Sequence, residues 1–450
     1  MVLRLAYGNA KKSLGSFFIY FLTLSLAVAI FYAFVSSYPQ MFSLIDEKII
    51  NENMENLVVL KSALTAASVL VSLMFAFLVS YSNRFFLKRR QKELGLYMIL
   101  GMNKGEVASI FLIETLGVSI ISFVFGILLG VGVSQLLGLF SLQLLPGTYS
   151  FFFSTEGLLI SLGFFLILVL LVLLADSIYL GRTSLLNVLK GETKNEKISL
   201  RKHKTILYIL LIAAIVLFSV GCVLMAIAFL ETCFLVFIIG SISGFLFFYS
   251  FSALSLLKVR SNSKFYYHGL NSFITKELSS EINSSSLCLA FVSLTMILTV
   301  LLMSLGLGIQ TGNSGTDNWF GIAYIGLYMG VSFMLSTSSL LSIRLLSSFY
   351  SSQSRFRFLR YLGCSQNDLK NVIKKEVGIY FLYPICFALI PCICGLYGAF
   401  TEASRYMQIS LTQGTLISIA VVLLVYVAYG MSTYFSGTNY IVNSIEKRDR

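Results

Sequence analysis

The residues able to do chemistry are few and scattered. Two histidines, His203 and His268, stand far apart with no ligand cluster around either. Seven cysteines (Cys222, Cys233, Cys288, Cys364, Cys386, Cys392, Cys394) form no pairing framework. Their number is odd, and nearly all lie in or beside apolar segments, where a thiol is most often a small buried hydrophobe. Cys392 and Cys394 make a CxC inside an apolar run, a weak metal signal. No phosphate-cradling GxxxxGKS or GxxxxGKT, no zinc-binding HExxH and no nucleophile-elbow GxSxG occurs. Any ATP and Mg must therefore be bound by another chain; no catalytic residue, metal site or cofactor is expected in this one. Asp176 is the best single residue for a proton or ion site. The plainer reading is favoured: an interfacial carboxylate snorkelling to the headgroups beside Arg182. Carboxylates near a membrane midplane, the usual mark of a secondary transporter, are scarce.

The elements that must position these residues follow from composition. Of 450 residues, 57% are hydrophobic and 12% charged, with 39 phenylalanines and four prolines. An average soluble domain is about 25% charged, so too few charges exist here to cover a soluble protein's surface. A disordered chain and a secreted disulfide scaffold are excluded as well. The expected fold class is an all-α polytopic membrane protein. Apolar runs long enough to cross about 30 Å of hydrocarbon occur at 17–38, 57–82, 114–138, 157–179, 206–228, 233–257, 287–309, 319–345, 376–400 and 413–435, giving about ten transmembrane helices. Helices are required because an open sheet would leave backbone groups unpaired in lipid. The first run is too long for a cleaved signal's apolar core and reads as a retained span.

Ten spans place both termini on one side. With that side cytoplasmic, 30 of the 33 basic residues fall inside and only Lys48, Lys61 and Arg405 fall outside. The positive-inside rule selects this orientation. The net +13 divides into about +18 within and −5 without, which calls for no nucleic-acid partner. The expected outer loops are short: about 18 residues at 39–56 and nine at 310–318.

The richest inner segment is 84–106, RFFLKRRQKELGLYMILGMNKGE. Basic residues Arg84, Lys88, Arg89, Arg90 and Lys92 come first, then an amphipathic stretch, then Gly101 as a helix stop. Asn103 can cap the next helix with Glu106 three residues on, as in a capping box. The physics gives helix, sharp turn, helix: a rigid elbow at the membrane surface that a partner could push. A basic loop that only fixes topology and touches anionic lipid is the alternative. The segment repeats: LGMNKGEVASIFLIE at 100–114 lies on LGCSQNDLKNVIKKE at 362–376, an offset of 262 that pairs Leu100 with Leu362, Gly101 with Gly363, Glu106 with Asp368 and Glu114 with Glu376. The expected organisation is two related halves, 1–205 (spans 1–4) and a diverged 259–450 (spans 7–10), joined by a helix pair at 206–258 (spans 5–6). In the third span Gly126 and Gly130 form a GxxxG, suited to close helix approach. It can serve a tight dimer, a sliding contact or, more plainly, packing within one chain.

KRRQKELGLYMILGMNKGEVASIFLIETLGVSIISFVFGILLG (88–130) resembles the core of FtsX-like ABC transporter permeases. LAYGNAKKSLGSFFIYFLTLSLAVAIFYAF (5–34) and LLNVLKGE (185–192) are similar to the bacitracin-resistance-type permeases of Gram-positive bacteria. FITKELSSEINSSS (273–286), IGLYMGVSFMLSTSS (325–339) and FRFLRYLGC (356–364) fit in order. The resemblance implies two FtsX-like halves in a bacterial cell membrane and a partner, the cytoplasmic ABC ATPase dimer. Docking on that ATPase would fall on Lys92, Glu93, Gly95, Leu100, Gly101, Met102, Asn103 and Glu106. Arg357, Leu362, Gly363 and Asp368 would serve in the second half, where Arg355 stands in place of Glu93. One departure is large: the big extracellular domain such permeases carry between the seventh and eighth spans is replaced by nine residues.

What the resemblance implies is export, or removal from the outer leaflet, of an amphipathic peptide such as an antimicrobial peptide or lantibiotic, or of a lipid. The chain would act as a non-enzymatic permease subunit. The alternative is a membrane signalling scaffold that regulates a sensor histidine kinase or a cell-wall hydrolase.

Overall fold

The computed structural model of the chain describes residues 14–44, 54–141, 151–182, 204–227, 229–261, 263–267, 269–311, 320–406 and 412–449. His203, His268 and the 185–192 segment lie outside them, as do 1–13, the N-terminal part of the 5–34 segment. The described residues are helical throughout, with no strand among them: α1 (Leu14–Leu44), α2 (Met54–Ile99), α3 (Lys104–Ser141), α4 (Thr155–Arg182), α5 (Lys204–Ile227), α6 (Phe229–Ser261), the single turn α7 (Ser263–Tyr266), α8 (Asn271–Ser284), α9 (Ser286–Thr311), α10 (Phe320–Tyr361), α11 (Gln366–Tyr406) and α12 (Thr412–Asp449). Eight of the ten expected spans fall within one of these helices; 206–228 and 319–345 do so except for residues 228 and 319, which lie outside the described residues. Among the described residues, nine helices are long and apolar enough to cross a membrane: α1, α3 to α6 and α9 to α12. The remaining expected span, 57–82, lies in α2, several of whose side chains are outside the described set.

Two helices are far longer than a bilayer needs. α2 has 46 residues and α10 has 42, or roughly 69 and 63 Å at 1.5 Å per residue, against about 30 Å of hydrocarbon. Their C-terminal stretches run well past the apolar runs expected to cross the bilayer.

The chain forms two compact units, Met1–Lys197 with Phe320–Tyr328, and Ile198–Trp319 with Met329–Arg450. In the first, α1 is the central helix and packs on α2, α3 and α4. The GxxxG of α3 faces α1 within the same chain. A Cβ on Gly126 would come within 2.8 Å of the Ser25 carbonyl oxygen and of Val28 Cβ, and one on Gly130 within 2.9 Å of the Ala29 carbonyl oxygen. Without side chains at these positions the two backbones can nearly touch. The seam ends in a buried polar knot: Ser36 Oγ donates to Ser134 Oγ (3.1 Å), Ser134 Oγ to Gln40 Oε1 (3.0 Å) and Gln40 Nε2 to the Ser134 carbonyl (3.2 Å).

In the second unit α9 is the central helix, packed on α6, α11 and α12. α5 pairs with α6 and α11. Phe247 and Phe248 of α6 meet Phe387 of α11 at ring-centroid distances of 5.0 and 5.2 Å. α8 is amphipathic, burying Ile274, Leu278 and Ile282 on the face it turns to α6. α10 contributes a run of buried hydroxyls, including Ser332, Ser336, Thr337 and Ser339. Ser336 and Thr337 return their hydroxyls to the preceding helical turn, so these polar groups are satisfied without water.

Candidate functional site: two helical elbows

At the first elbow, Gly101 N–H donates to the Met98 carbonyl (3.2 Å) and Met102 N–H to the Tyr97 carbonyl (3.1 Å). This pair of bonds is a Schellman motif, which needs a left-handed residue at its end. Gly101 supplies it with φ +96°. Two residues later α3 begins, and Asn103 N–H donates to Glu106 Oε2 (3.0 Å). The second elbow repeats the path 262 residues on. Gly363 (φ +93°) donates to the Arg360 carbonyl (3.0 Å) and Cys364 to the Leu359 carbonyl (3.2 Å). Its capping box is complete: Ser365 N–H and Oγ donate to Asp368 Oδ2 (3.1 and 2.7 Å), and Asp368 N–H returns to Ser365 Oγ (3.2 Å).

Each elbow carries three exposed apolar side chains at matching positions. Leu96, Ile99 and Leu100 tip the first, and Phe358, Tyr361 and Leu362 tip the second; Leu100 is 73% exposed and Tyr361 79%. Along a membrane span such exposure would face lipid. Here it lies at the far end of a helix that has already outrun the bilayer.

The two elbows differ in the buried charge behind them. In the first, Arg90 is 1% exposed, and its Nη2 donates to both carboxylate oxygens of Glu114 on α3 (2.7 and 2.6 Å). Its Nη1 meets the half-exposed Glu93. The ring of Phe86 stacks on Phe111 at 5.4 Å one turn above. In the second, the residue at the place of Arg90 is Ser352, and Arg355 stands at the place of Glu93. Ser352 Oγ donates to Glu277 Oε1 of α8 and Arg355 Nη1 reaches Glu277 Oε2, both at 2.6 Å. Burial raises the Glu277 carboxyl above the ordinary range and the neighbouring Glu281 adds to this, while the hydrogen bond from Ser352 and the positive charge of Arg355 pull it back. Glu376, the counterpart of Glu114, is 4% exposed, and its Oε1 has no partner.

The remaining residues singled out by sequence are placed as follows. Glu93, Leu100, Gly101, Asn103 and Glu106 are exposed at the first elbow, Met102 is half-buried and Gly95 is buried within α2. The side chain of Lys92 lies outside the described residues. Leu362, Gly363 and Asp368 are exposed at the second elbow, and Arg357 is half-buried. Asp176 departs from the expectation of an interfacial carboxylate: it is 3% exposed, and Asn83 Nδ2 of α2 donates to both of its oxygens (2.8 and 2.9 Å). A hydrogen-bonding partner on a neighbouring helix let it stay inside. Sequence reasoning missed the Arg90–Glu114 pair, treating Arg90 as one of a basic run. The available signal was Glu114 itself, a carboxylate within FLIETLG, which has to find a cation or a donor.

Comparison with known proteins agrees with this architecture. The model of the family described as FtsX-like permease C-terminal matches residues 65–185, which hold most of α2, all of α3 and α4, and the first elbow. The bacitracin export permease protein BceB of Halalkalibacterium halodurans is 30% identical over 269 residues, covering 57% of this chain and 40% of that protein. The BceB of Bacillus subtilis is 27% identical over 190 residues, covering 42% of this chain and 28% of that protein. An uncharacterized ABC transporter permease of the same organism, YvcS, is 28% identical over 132 residues, covering 29% of this chain and 20% of that protein. The chain thus spans less than half the length of these relatives. With nine apolar helices among its described residues and a match to the FtsX-like permease model over 65–185, the chain reads as a multi-pass bacterial cell-membrane protein that is similar over that segment to FtsX-like permeases.

Proposed function

We propose that this chain is the membrane subunit of an ATP-driven transporter, and that its two elbows dock on a dimeric cytoplasmic ATPase. The observation that carries this reading is the duplicated elbow: the same Schellman turn and capped helix start occur twice, each tipped by three exposed apolar side chains beyond the end of a span. Apolar anchors on rigid turns are the usual core of a protein–protein contact. Two such elbows suit a partner with two equivalent grooves. The basic residues in both elbow segments support a cytoplasmic placement of each, where ATP is. Closure of the ATPase would tilt α2 with α3, and α10 with its neighbours. The opposite ends of those helices would then expel an amphipathic client, a peptide antibiotic or lipid, from the outer leaflet. The bacitracin export named for two relatives supports a peptide client.

The test is co-expression with a candidate ABC ATPase subunit from the same genome, followed by purification on a tag carried by the permease. The ATPase should co-purify with the wild type and be lost from a Leu100→Asp/Leu362→Asp variant that remains folded. Failure to co-purify, or co-purification indifferent to these substitutions and to Gly101→Pro, would sink the proposal. A strain deleted for the gene that keeps peptide tolerance but loses a transcriptional response would instead favour partnership with a sensor histidine kinase.

A further inference from the structure

We propose that α8 receives the motion of the second elbow, as α3 receives that of the first, so that one stroke is delivered to differently placed helices in the two halves. This rests on the reading of the elbows as docking points. Within the first unit the projecting end of α2 is fixed to α3 across the turn, by Arg90 on Glu114 and Phe86 on Phe111. Phe86 also stacks on Tyr20 of α1 at 5.4 Å, so motion at that elbow is carried by the two helices that form it and by the central helix directly.

In the second unit the same end of α10 is fixed elsewhere. Ser352 and Arg355 hold Glu277. Phe356, on the same face one turn on, meets Phe273 edge-on at 5.7 Å. Residues 352, 355 and 356 on one helix thus grip 273 and 277 on the other, two contacts at helical spacing on both sides. Farther up α10, Arg344 reaches Glu281 (3.3 Å) and donates to Ser285 Oγ (2.6 Å) and Ser284 Oγ (2.7 Å). α8 is therefore strapped to α10 along its length. Glu376 of α11, where the sequence repeat would place the clamp, has lost its arginine to Ser352 and keeps an unpartnered oxygen. A single break at Ser285 separates α8 from α9, the central helix of the unit. Beside the direct contact of α11 with α9, a second path from this elbow thus runs through α8 into that centre, and Arg355 and Glu277 are its positioning residues.

Hydrogen exchange on the purified permease–ATPase complex, compared without nucleotide and with ATP trapped, tests this. In the wild type, amides of 358–368 and of 271–284 should change together. In Arg355→Met and in Glu277→Gln the elbow response should persist, while the α8 response drops by roughly five- to tenfold, the low end of measured couplings between sites. Exchanging the charges in Glu277→Arg/Arg355→Glu should restore it, which a loss of folding alone would not do. An elbow that responds while α8 does not, or an α8 response equal in wild type and single variants, overturns the proposal. If no complex forms, the docking reading fails first and this inference falls with it.

Discussion

Replacing Arg90 by methionine should be among the most damaging single changes at either elbow, for a reason that can be worked through. The guanidinium is 1% exposed and the Glu114 side chain is completely buried, joined by two bonds of 2.6–2.7 Å. Methionine fills much of the arginine stem but leaves the carboxylate without its cation. Breaking one partner from a buried pair costs about 3–5 kcal/mol. Glu93 contributes little to this figure. It is half exposed, so solvent screens it, and its contribution is under about 1 kcal/mol; Glu93→Gln should therefore be mild. The companion variant is Arg90→Met/Glu114→Leu, which removes both charges at similar volume. Paired removal is often neutral or stabilising, so the double variant should be well above the single in stability. The assay is unfolding of the purified permease by titration with a denaturing detergent, followed by loss of helical circular dichroism, on wild type, both singles and the double. A cost below about 1 kcal/mol for Arg90→Met, or a double variant as unstable as the two singles combined, would refute the reasoning, since additive behaviour means uncoupled residues.

Gly101→Ala and Gly363→Ala should each lose about 1–2 kcal/mol, the cost of a left-handed backbone for a residue with a Cβ, with no steric part because nothing lies within 4 Å of either position; the same unfolding assay reads it. Gly130→Ala presses a methyl on the α1 backbone and should destabilise clearly more than Gly132→Ala on the open side of the same helix. Ser365→Ala should cost about 1 kcal/mol as the loss of an N-cap, whereas Asn103→Ala should cost less, because the bond there is made by its main-chain N–H. Glu277 is raised by burial, so its contribution to stability is fully present below the usual glutamate range and declines as pH rises through the raised value. Glu277→Gln should flatten that part of a stability-against-pH curve.

What could be read from the sequence was what physics decides locally. The turn at Gly101 and the return of Glu106 to the Asn103 main-chain N–H involve residues within five positions of each other, and both appear where spacing put them. Apolar runs located the helices for the same reason, though α2 and α10 reach well past the runs because their polar ends are helical too. Charge partners were not legible. Arg90 and Glu114 are 24 residues apart across a turn, and Glu277 and Ser352 are 75 apart, so only tertiary placement brings them together. Asp176 shows the same limit: proximity to Arg182 suggested a headgroup contact, and Asn83, 93 residues earlier, claimed it instead. The GxxxG announced close packing without naming its partner, which proved to be α1.

The seam between α1 and α3 also has a consequence in time. Ser36 and Ser134 are 98 residues apart, and at about 5–20 residues per second a ribosome needs roughly 5–20 s to bridge them. Until α3 is made, Ser25, Ala29 and Gln40 of α1 have no glycine-lined seam to enter, and the Ser36 hydroxyl has only the Ala33 carbonyl of its own helix to donate to. α1 thus completes its packing only after α3 has been made.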